Sequence, residues 1–199
     1  GTGGFVIYGE DVYDWSGFSV ASAGDINGDG FDDLIIGAPF AGDADNLKRR
    51  AGDSYVVFGK ASGWGAPIDL GTIAAGDGGF VIHGQDGGSY SGFSVASAGD
   101  LNGDGFDEII IGTSGSGKNS GPDAYVVFGK ASGWGAAIDL TDVAAGNGGF
   151  VINGEGSYDF SGRSVASAGD VNGDGFADMI IGAPLGNAAN NLKERAGNS

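Results

Sequence analysis

Ser19-Val-Ala-Ser-Ala-Gly-Asp25-Ile-Asn27-Gly-Asp29-Gly30-Phe31-Asp-Asp33-Leu-Ile-Ile-Gly37 is the stretch whose reading decides the fold. It begins with alternating small and apolar residues, passes through a run of Asp, Asn and Gly, and ends in a continuous Leu-Ile-Ile segment. That order predicts strand, tight loop, strand. The same string recurs at Ser94–Gly112 and Ser164–Gly182, at offsets of 75 and 70 residues. Phe5-Val-Ile-Tyr-Gly9 returns as Phe80-Val-Ile-His-Gly84 and Phe150-Val-Ile-Asn-Gly154 at the same offsets. Tyr55-Val-Val-Phe-Gly-Lys-Ala-Ser-Gly-Trp-Gly65 returns once, at Tyr125–Gly135. Internal repetition at a fixed period is therefore the organising signal of the chain.

Each unit reads as four short strands, which in the first copy are Phe18–Ala23, Asp33–Ala38, Tyr55–Gly59 and Phe80–Gly84. No stretch shows a helical period, and the Ala/Gly pieces at Ile73–Gly76 and Val143–Gly146 are too short to predict a helix. Four antiparallel strands per repeat describe a β-propeller blade. The first strand carries small Ser and Ala side chains, as crowding near a propeller axis requires. The second and third are almost wholly apolar, as expected of strands covered on both faces. One blade cannot bury both of its faces, so blades need neighbours. The expected division is an outer strand of a preceding blade at 1–9, blades at 10–84 and 85–154, and a partial blade at 155–199. Propellers close with about four to eight blades. The segment is thus expected to be part of a larger ring, completed by further chain or by other copies.

The loops between first and second strands carry the chemistry. They read Asp25, Asn27, Asp29, Phe31 and Asp33; Asp100, Asn102, Asp104, Phe106 and Glu108; and Asp170, Asn172, Asp174, Phe176 and Asp178, at loop positions 1, 3, 5, 7 and 9. Ca²⁺ takes six to eight hard oxygen ligands from a flexible loop. Side-chain oxygens at positions 1, 3 and 5, a backbone carbonyl at 7 and an acid at 9 would supply them, with Gly at 6 permitting the turn. Mg²⁺ fits less well because it keeps its waters and a strict octahedron. An EF-hand would need Glu at position 12, but Ile36, Ile111 and Ile181 stand there. The alternative is a metal-free Asn-Gly or Asp-Gly hairpin turn. Such a turn does not call for acids at positions 1, 5 and 9 three times over. Glu108 is longer than its Asp counterparts, which sets the second loop apart. About three Ca²⁺ ions are expected.

Composition narrows the remaining classes. With 26 acidic against 9 basic residues the net charge is −17, which disfavours nucleic acid and anionic membrane surfaces as partners. The three loops hold 11 of the 26 acids when position 8 (Asp32, Asp107) is included, so much of the acidity is concentrated where a cation could neutralise it. Absence of Cys excludes disulfides, zinc–thiolate sites and thiol catalysis. No apolar run reaches the roughly 18–20 residues of a membrane span. Nor does the N-terminus show a targeting segment.

Taken together, the Gly-x-Ser-Val-Ala strand, the Asp-x-Asn-x-Asp-Gly-x-x-Asp loop, Leu-Ile-Ile-Gly-Ala-Pro and Tyr-Val-Val-Phe-Gly resemble FG-GAP repeats of integrin alpha subunits and of bacterial secreted proteins. The resemblance covers nearly the whole chain. Gly-Ala-Pro is present at Gly37–Pro39 and Gly182–Pro184, whereas the second unit has Gly112-Thr-Ser114. The resemblance implies a seven-bladed propeller with calcium loops on one face and a protein or glycan ligand on the other. On that second face it places Glu10–Ser16, Gln85–Ser91 and Glu155–Ser161, with Phe40–Asp53, Ser114–Asp123 and Leu185–Asn198. Trp15, Tyr90 and Phe160 occupy equivalent places there, suited to blade packing or to ligand contact. The implied function is a non-catalytic, extracellular or cell-surface module for adhesion or scaffolding, of bacterial secreted type. Alternatives are an accessory domain of a secreted enzyme and a lectin-like module.

Two features imitate other chemistries. Gly112-Thr-Ser-Gly-Ser-Gly117-Lys118 looks like a phosphate-binding loop, but Asn119 follows in place of Ser or Thr and no helix is expected after it. His83, the one histidine, has Tyr8 and Asn153 as counterparts, so a catalytic role is not expected. Lys48-Arg49-Arg50, echoed by Lys193-Glu-Arg195, reads as a basic loop cluster, either solvated or in contact with an anionic partner.

Overall fold

The computed structural model describes residues 4–42, 48–115, 122–155 and 158–186. The first unit forms strands β2 (Ser19–Gly24), β3 (Asp33–Ala38), β4 (Asp53–Val57) and β6 (Gly79–His83), paired antiparallel in that order. The second unit repeats the arrangement with β7 (Ser94–Gly99), β8 (Glu108–Gly112), β9 (Ala124–Val127) and β11 (Gly149–Ile152). In the third, β12 (Ser164–Gly169) pairs with β13 (Asp178–Gly182). These are the antiparallel sheets expected of an all-β propeller segment. Among the described residues no helix is long and apolar enough to cross a membrane.

Two expectations are corrected. Short helices do form, α1 at Leu70–Ala74 and α2 at Leu140–Ala144. They lack length but are closed by caps: the side chains of Asp69 and Asp139 accept the N–H of Gly71 and Thr141, each at 2.8 Å. Leu70 and Ile73 of α1, and Leu140 and Val143 of α2, are buried beneath their units, so tertiary packing overrides weak propensity. The second correction is a further strand in the same connection. β5 (Ile68–Asp69) pairs in parallel with β1 (Ile7–Tyr8), and β10 (Ala137–Asp139) pairs in parallel with β6, placing Ile138 opposite Ile82. The first and second units thereby each lend a strand to one that precedes them in the chain. Boundaries also move: β4 begins at Asp53 rather than Tyr55 and ends before Phe58.

The sheets stack face to face. Ile35, Val56, Phe80 and Ile82 of the first unit share one core with Val95, Ile109, Ile111 and Tyr125 of the second. Ala98, Ile110 and Val126 meet Val165, Met179 and Ile181 of the third. The Gly-Trp-Gly segment contributes across the same boundary. Trp134 stacks on Phe80 of the preceding unit with ring centroids 4.6 Å apart, and Trp64 stacks on Phe5 at the same distance. Each indole N–H donates to the carbonyl of the Lys four residues earlier, Lys60 at 2.8 Å and Lys130 at 2.9 Å, which fixes the turn. Lys48 reaches across to Asp139, the cap of α2, at 2.9 Å. Burial acts to raise the Asp139 pKa, but bonds from Thr141 and Lys48 outweigh it and hold this carboxyl below its ordinary value. His83 Nδ1 lies 3.1 Å from Asp53 Oδ1, its partner across β4 and β6, so the histidine forms part of a strand-to-strand pair.

First strands of successive units lie side by side, and the approach is closest at glycine. A side chain at Gly37 would collide with the carbonyl of Gly92, and one at Gly112 with the carbonyl of Gly162. Overpacked buried sites of this kind lose about 1–3 kcal/mol. Gly37→Ala and Gly112→Ala should each lower the unfolding free energy by about 2 kcal/mol or more on that scale, measured by urea denaturation. A loss under about 0.5 kcal/mol, typical of a surface change, would show that the units do not stack this closely.

Candidate metal centre

All fifteen loop residues singled out above are described, and the three loops share one hydrogen-bond pattern. Each begins at a β-bulge. Ser22 pairs with Leu34 and Gly24 with Asp33, leaving Ala23 without a partner on β3. Gly24 has φ 73°, and its N–H donates to Ser22 Oγ at 3.1 Å. Gly99 and Gly169 repeat the turn with Ser97 and Ser167. The recurring Ser-Ala-Gly-Asp is the sequence signal for this bulge, which swings position 1 out of the sheet.

The position 1 carboxylate then gathers the loop. Asp25 Oδ1 accepts the N–H of Gly28 at 2.8 Å and of Asp29 at 3.1 Å, while Oδ2 accepts that of Gly30 at 2.9 Å. Asn27 Oδ1 takes the Asp29 N–H at 2.8 Å, and Asp29 Oδ1 takes the Phe31 N–H at 2.9 Å. Asp100, Asn102 and Asp104 make the same five bonds, as do Asp170, Asn172 and Asp174. Phe31, Phe106 and Phe176 thus enter the pattern through their backbone N–H.

Position 9 departs from a simple ligand role. Asp33 is fully buried; its Oδ2 accepts the Ile26 N–H at 3.2 Å and its Oδ1 the Gly59 N–H at 2.7 Å. It therefore ties the loop to the end of β4. Glu108, also fully buried, takes the Leu101 N–H at 2.7 Å and the backbone N–H of Gly129, so its extra methylene leaves the pattern intact. It also accepts from Asn102 Nδ2 at 3.3 Å. Asp178 accepts the Val171 N–H at 2.8 Å. Burial pushes the Asp33 carboxyl up to about 6, opposed by the Gly59 and Ile26 N–H groups and assisted by Asp29 and Asp25. For the same reasons Glu108 is raised to about 7, with Asp104 and Asp100 as the neighbouring charges.

Neighbouring loops interlock, a feature not anticipated from sequence. The Asp25 N–H donates to Asp107 Oδ2 at 2.9 Å, and the Asp107 N–H returns to the Asp25 carbonyl at 3.3 Å. The Phe106 ring lies over Gly28 so closely that a β-carbon there would sit 2.5 Å from the ring. Phe176 covers Gly103 in the same way, and the Ala177 N–H donates to the Asp100 carbonyl at 3.0 Å. Positions 7 and 8 of one loop therefore hold positions 1 and 4 of the loop before it.

The donors are all oxygens, which suits a hard cation. Oδ1 of Asp25 accepts two N–H groups, whereas Asp25 Oδ2, Asn27 Oδ1 and Asp29 Oδ1 accept one each and keep a further lone pair for a metal. Among the described residues, however, no group of three or more His, Cys, Asp or Glu side chains is gathered closely enough to hold a metal ion. The phosphate-loop lookalike falls partly outside the described residues; its Thr113 hydroxyl donates to the Pro122 carbonyl at 3.1 Å.

The loops sit inside a recognised repeat. FG-GAP repeats match residues 16–57, 91–128 and 161–198. The chain belongs to the FG-GAP repeat family. The matched segments start at Ser16, Ser91 and Ser161 and so keep the spacing of the strand motifs. The FG-GAP chain is 34% identical over 187 residues to integrin alpha pat-2 of Caenorhabditis elegans, covering 88% of this chain and 14% of that protein. It is 30% identical over 177 residues to integrin alpha-5 of Xenopus laevis, covering 88% of this chain and 15% of that one. It is also 30% identical over 198 residues to phosphatidylinositol-glycan-specific phospholipase D of Dictyostelium discoideum, at 92% and 19% coverage. This FG-GAP segment spans less than a fifth of the length of each of these relatives.

Two substitutions separate scaffold from metal chemistry within an FG-GAP loop. Asp33→Ala strands two buried N–H groups and should cost about 2–6 kcal/mol in chelator-treated protein, since each orphaned donor costs about 1–3 kcal/mol. Asp29→Ala, on the exposed side, should cost under about 1 kcal/mol under the same conditions. Denaturant unfolding with chelator present checks both, and equal losses would refute the division of labour.

Proposed function

We propose that the chain is a calcium-binding, non-catalytic segment of an extracellular β-propeller used for adhesion or surface scaffolding. The observation that carries this reading is the threefold recurrence of one loop geometry, in which oxygens at positions 1, 3 and 5 converge on the same backbone. Asp25, Asn27, Asp29, Phe31 and Asp33 would hold one ion, with the position 7 carbonyl as one donor. Asp100, Asn102, Asp104, Phe106 and Glu108 would hold a second, and Asp170, Asn172, Asp174, Phe176 and Asp178 a third. Bound cations would neutralise clustered acids that otherwise repel one another, and would favour the ionised forms of Asp33 and Glu108. Extracellular modules bind Ca²⁺ at about 10⁻⁴–10⁻³ M, a range matched to calcium outside cells.

Blades are assigned to 10–84 and 85–154 and a partial blade to 155–199, after an outer strand at 1–9, within a seven-bladed ring of which neighbouring blades or copies supply the rest. Support comes from burial. Val95 and Val165 are covered by a neighbouring unit, while their counterpart Val20 is 65% exposed on a face built the same way. A protein or glycan ligand is assigned to the loops opposite the calcium sites. Localisation at a bacterial cell surface, or in secretion from one, accords with the absence of Cys and with the Tyr-Val-Val-Phe-Gly-Lys-Ala-Ser-Gly-Trp segment. A second reading, an accessory domain of a secreted enzyme, is favoured by the relative whose name is that of a phospholipase D.

Calorimetry on chelator-stripped protein should detect about three Ca²⁺ sites, accompanied by a higher Tm. Asp29→Ala should remove one site and leave the others. An absence of heat and of stabilisation up to about 10 mM Ca²⁺, well above the extracellular range, would overturn the assignment.

A further inference from the structure

At the opposite end of the strands from the calcium loops, the connection preceding β2 meets the one following β3. Between them lies a cavity of about 490 Å³ lined by Tyr13, Asp14, Trp15, Phe40, Arg49 and Arg50 among others. Its volume is in the range of small-ligand sites. The Phe40 N–H donates to the Asp14 carbonyl at 3.2 Å, which joins the two connections. Trp15 lies against Phe40 with centroids 4.5 Å apart, and Tyr90 of the next unit meets Phe40 edge-on at 5.3 Å. The Arg50 guanidinium is 5.9 Å from the Phe40 ring centroid.

This cavity brings exposed aromatic side chains together with two adjacent arginines. Tyr13, Trp15 and Arg50 all have left-handed backbones, with φ of 72°, 58° and 58°. The same conformation recurs at Tyr90, Tyr158 and Phe160, so at Tyr13 and Trp15 it belongs to the turn of the repeat and sets how the aromatic side chains are presented. The aromatic side chains are offered to solvent, Tyr13 at 86% exposure and Trp15 at 57%. Arg49 and Arg50 are adjacent cations at one cavity in a chain of charge −17, and among the described residues they, like Lys60, Lys130 and Arg163, form no salt bridge.

We propose that this cavity binds a carboxylate-bearing pyranose of an acidic glycan. The exposed apolar faces of Trp15 and Tyr13 match the C–H faces of a sugar ring, and Phe40 backs Trp15. Arg49 and Arg50 supply planar donors for its carboxylate, the geometry in which guanidinium exceeds ammonium. Asp14 then accepts bonds from ring hydroxyls, donors that an acidic peptide side chain lacks. Burial first, then Asp11, Asp53 and Glu10, raise the Asp14 pKa, which lessens its repulsion of an anion. Long acidic polymers are repelled elsewhere on the surface, so the arginine pair fixes where such a glycan can dock.

The inference rests on assigning the ligand to this loop face, and it is independent of calcium binding. The test is a fluorescence or calorimetric titration at fixed calcium with short oligogalacturonate, with a neutral galactose oligomer of equal length, and with poly-glutamate. Arg49→Ala is combined with Arg50→Asn, since Asn tolerates the left-handed backbone. Tyr13→Ala serves as a second variant on the aromatic wall, and each variant is melted to confirm folding. Oligogalacturonate should bind at least about tenfold more tightly than the neutral oligomer, the arginine variant should lose about tenfold or more, and binding should weaken at about 0.3 M salt. Absence of binding, equal binding of the neutral oligomer, or indifference to both variants overturns the proposal. Arginine-dependent binding of poly-glutamate as tight as that of oligogalacturonate also overturns it, while keeping the loop face as the ligand face. Calcium binding is read separately by melting, so its failure cannot be mistaken for either result.

Discussion

Backbone-to-backbone contact between consecutive sheets is the constraint on which the rest depends. Where β3 passes the start of the next unit there is room for a carbonyl and nothing more, so Gly37 and Gly112 carry no side chain. Gly52 against Ser91 and Gly129 against the Ile26 carbonyl extend the same contact toward both ends of the strands. Once the sheets approach that closely, Ile35, Val56 and Phe80 have no choice but to interdigitate with Val95, Ile109 and Ile111. Spacing between loops is set by the same approach, which is why Phe106 can reach Gly28 and Asp107 can reach Asp25. A glycine pattern that looks from composition like slack is in this fold the means of tight packing.

The architecture was legible because it is written three times. Alternation in Ser19–Gly24, the apolar run after Asp33 and the spacing of the acid loops each pointed to strands joined by a turn, and the sheets follow that order. What escaped reading depends on neighbours that a linear pattern does not display. Leu70 and Ile73 carry too little propensity to announce a helix, yet a cap and a buried face suffice for five residues. Ile138 gives no local sign that it will lie beside Ile82 of the previous unit. Asp33 reads as one more acid of an oxygen-rich loop, and only the packing of Gly59 and Ile26 around it reveals its second duty as a buried acceptor.

Charge is distributed with corresponding economy. Acids crowd one end of the strands, where the loops use their carboxylates to organise backbone N–H groups. At the other end, the loop preceding β2 and the segment 48–52 form a mixed surface of aromatic rings, acids and arginines. Lys48 is drawn away from that surface to the cap of α2 and acts as a fastener between units, while Arg49 and Arg50 line the cavity beside Trp15. Three consecutive basic residues thus divide between holding the array together and shaping its exposed face.

The parallel strand that the second unit extends to the first has a consequence for behaviour in solution. The outermost strand of a sheet is where a foreign strand can add, and a row of free N–H and C=O groups there invites aggregation. β10 occupies that position on β6, and it runs for three residues before Asp139 turns the chain into a helix. A long adhesive edge is exchanged for a short one that ends in a charge. Addition of a foreign strand at this edge is thereby limited by the three-residue length of β10 and by the carboxylate that caps it.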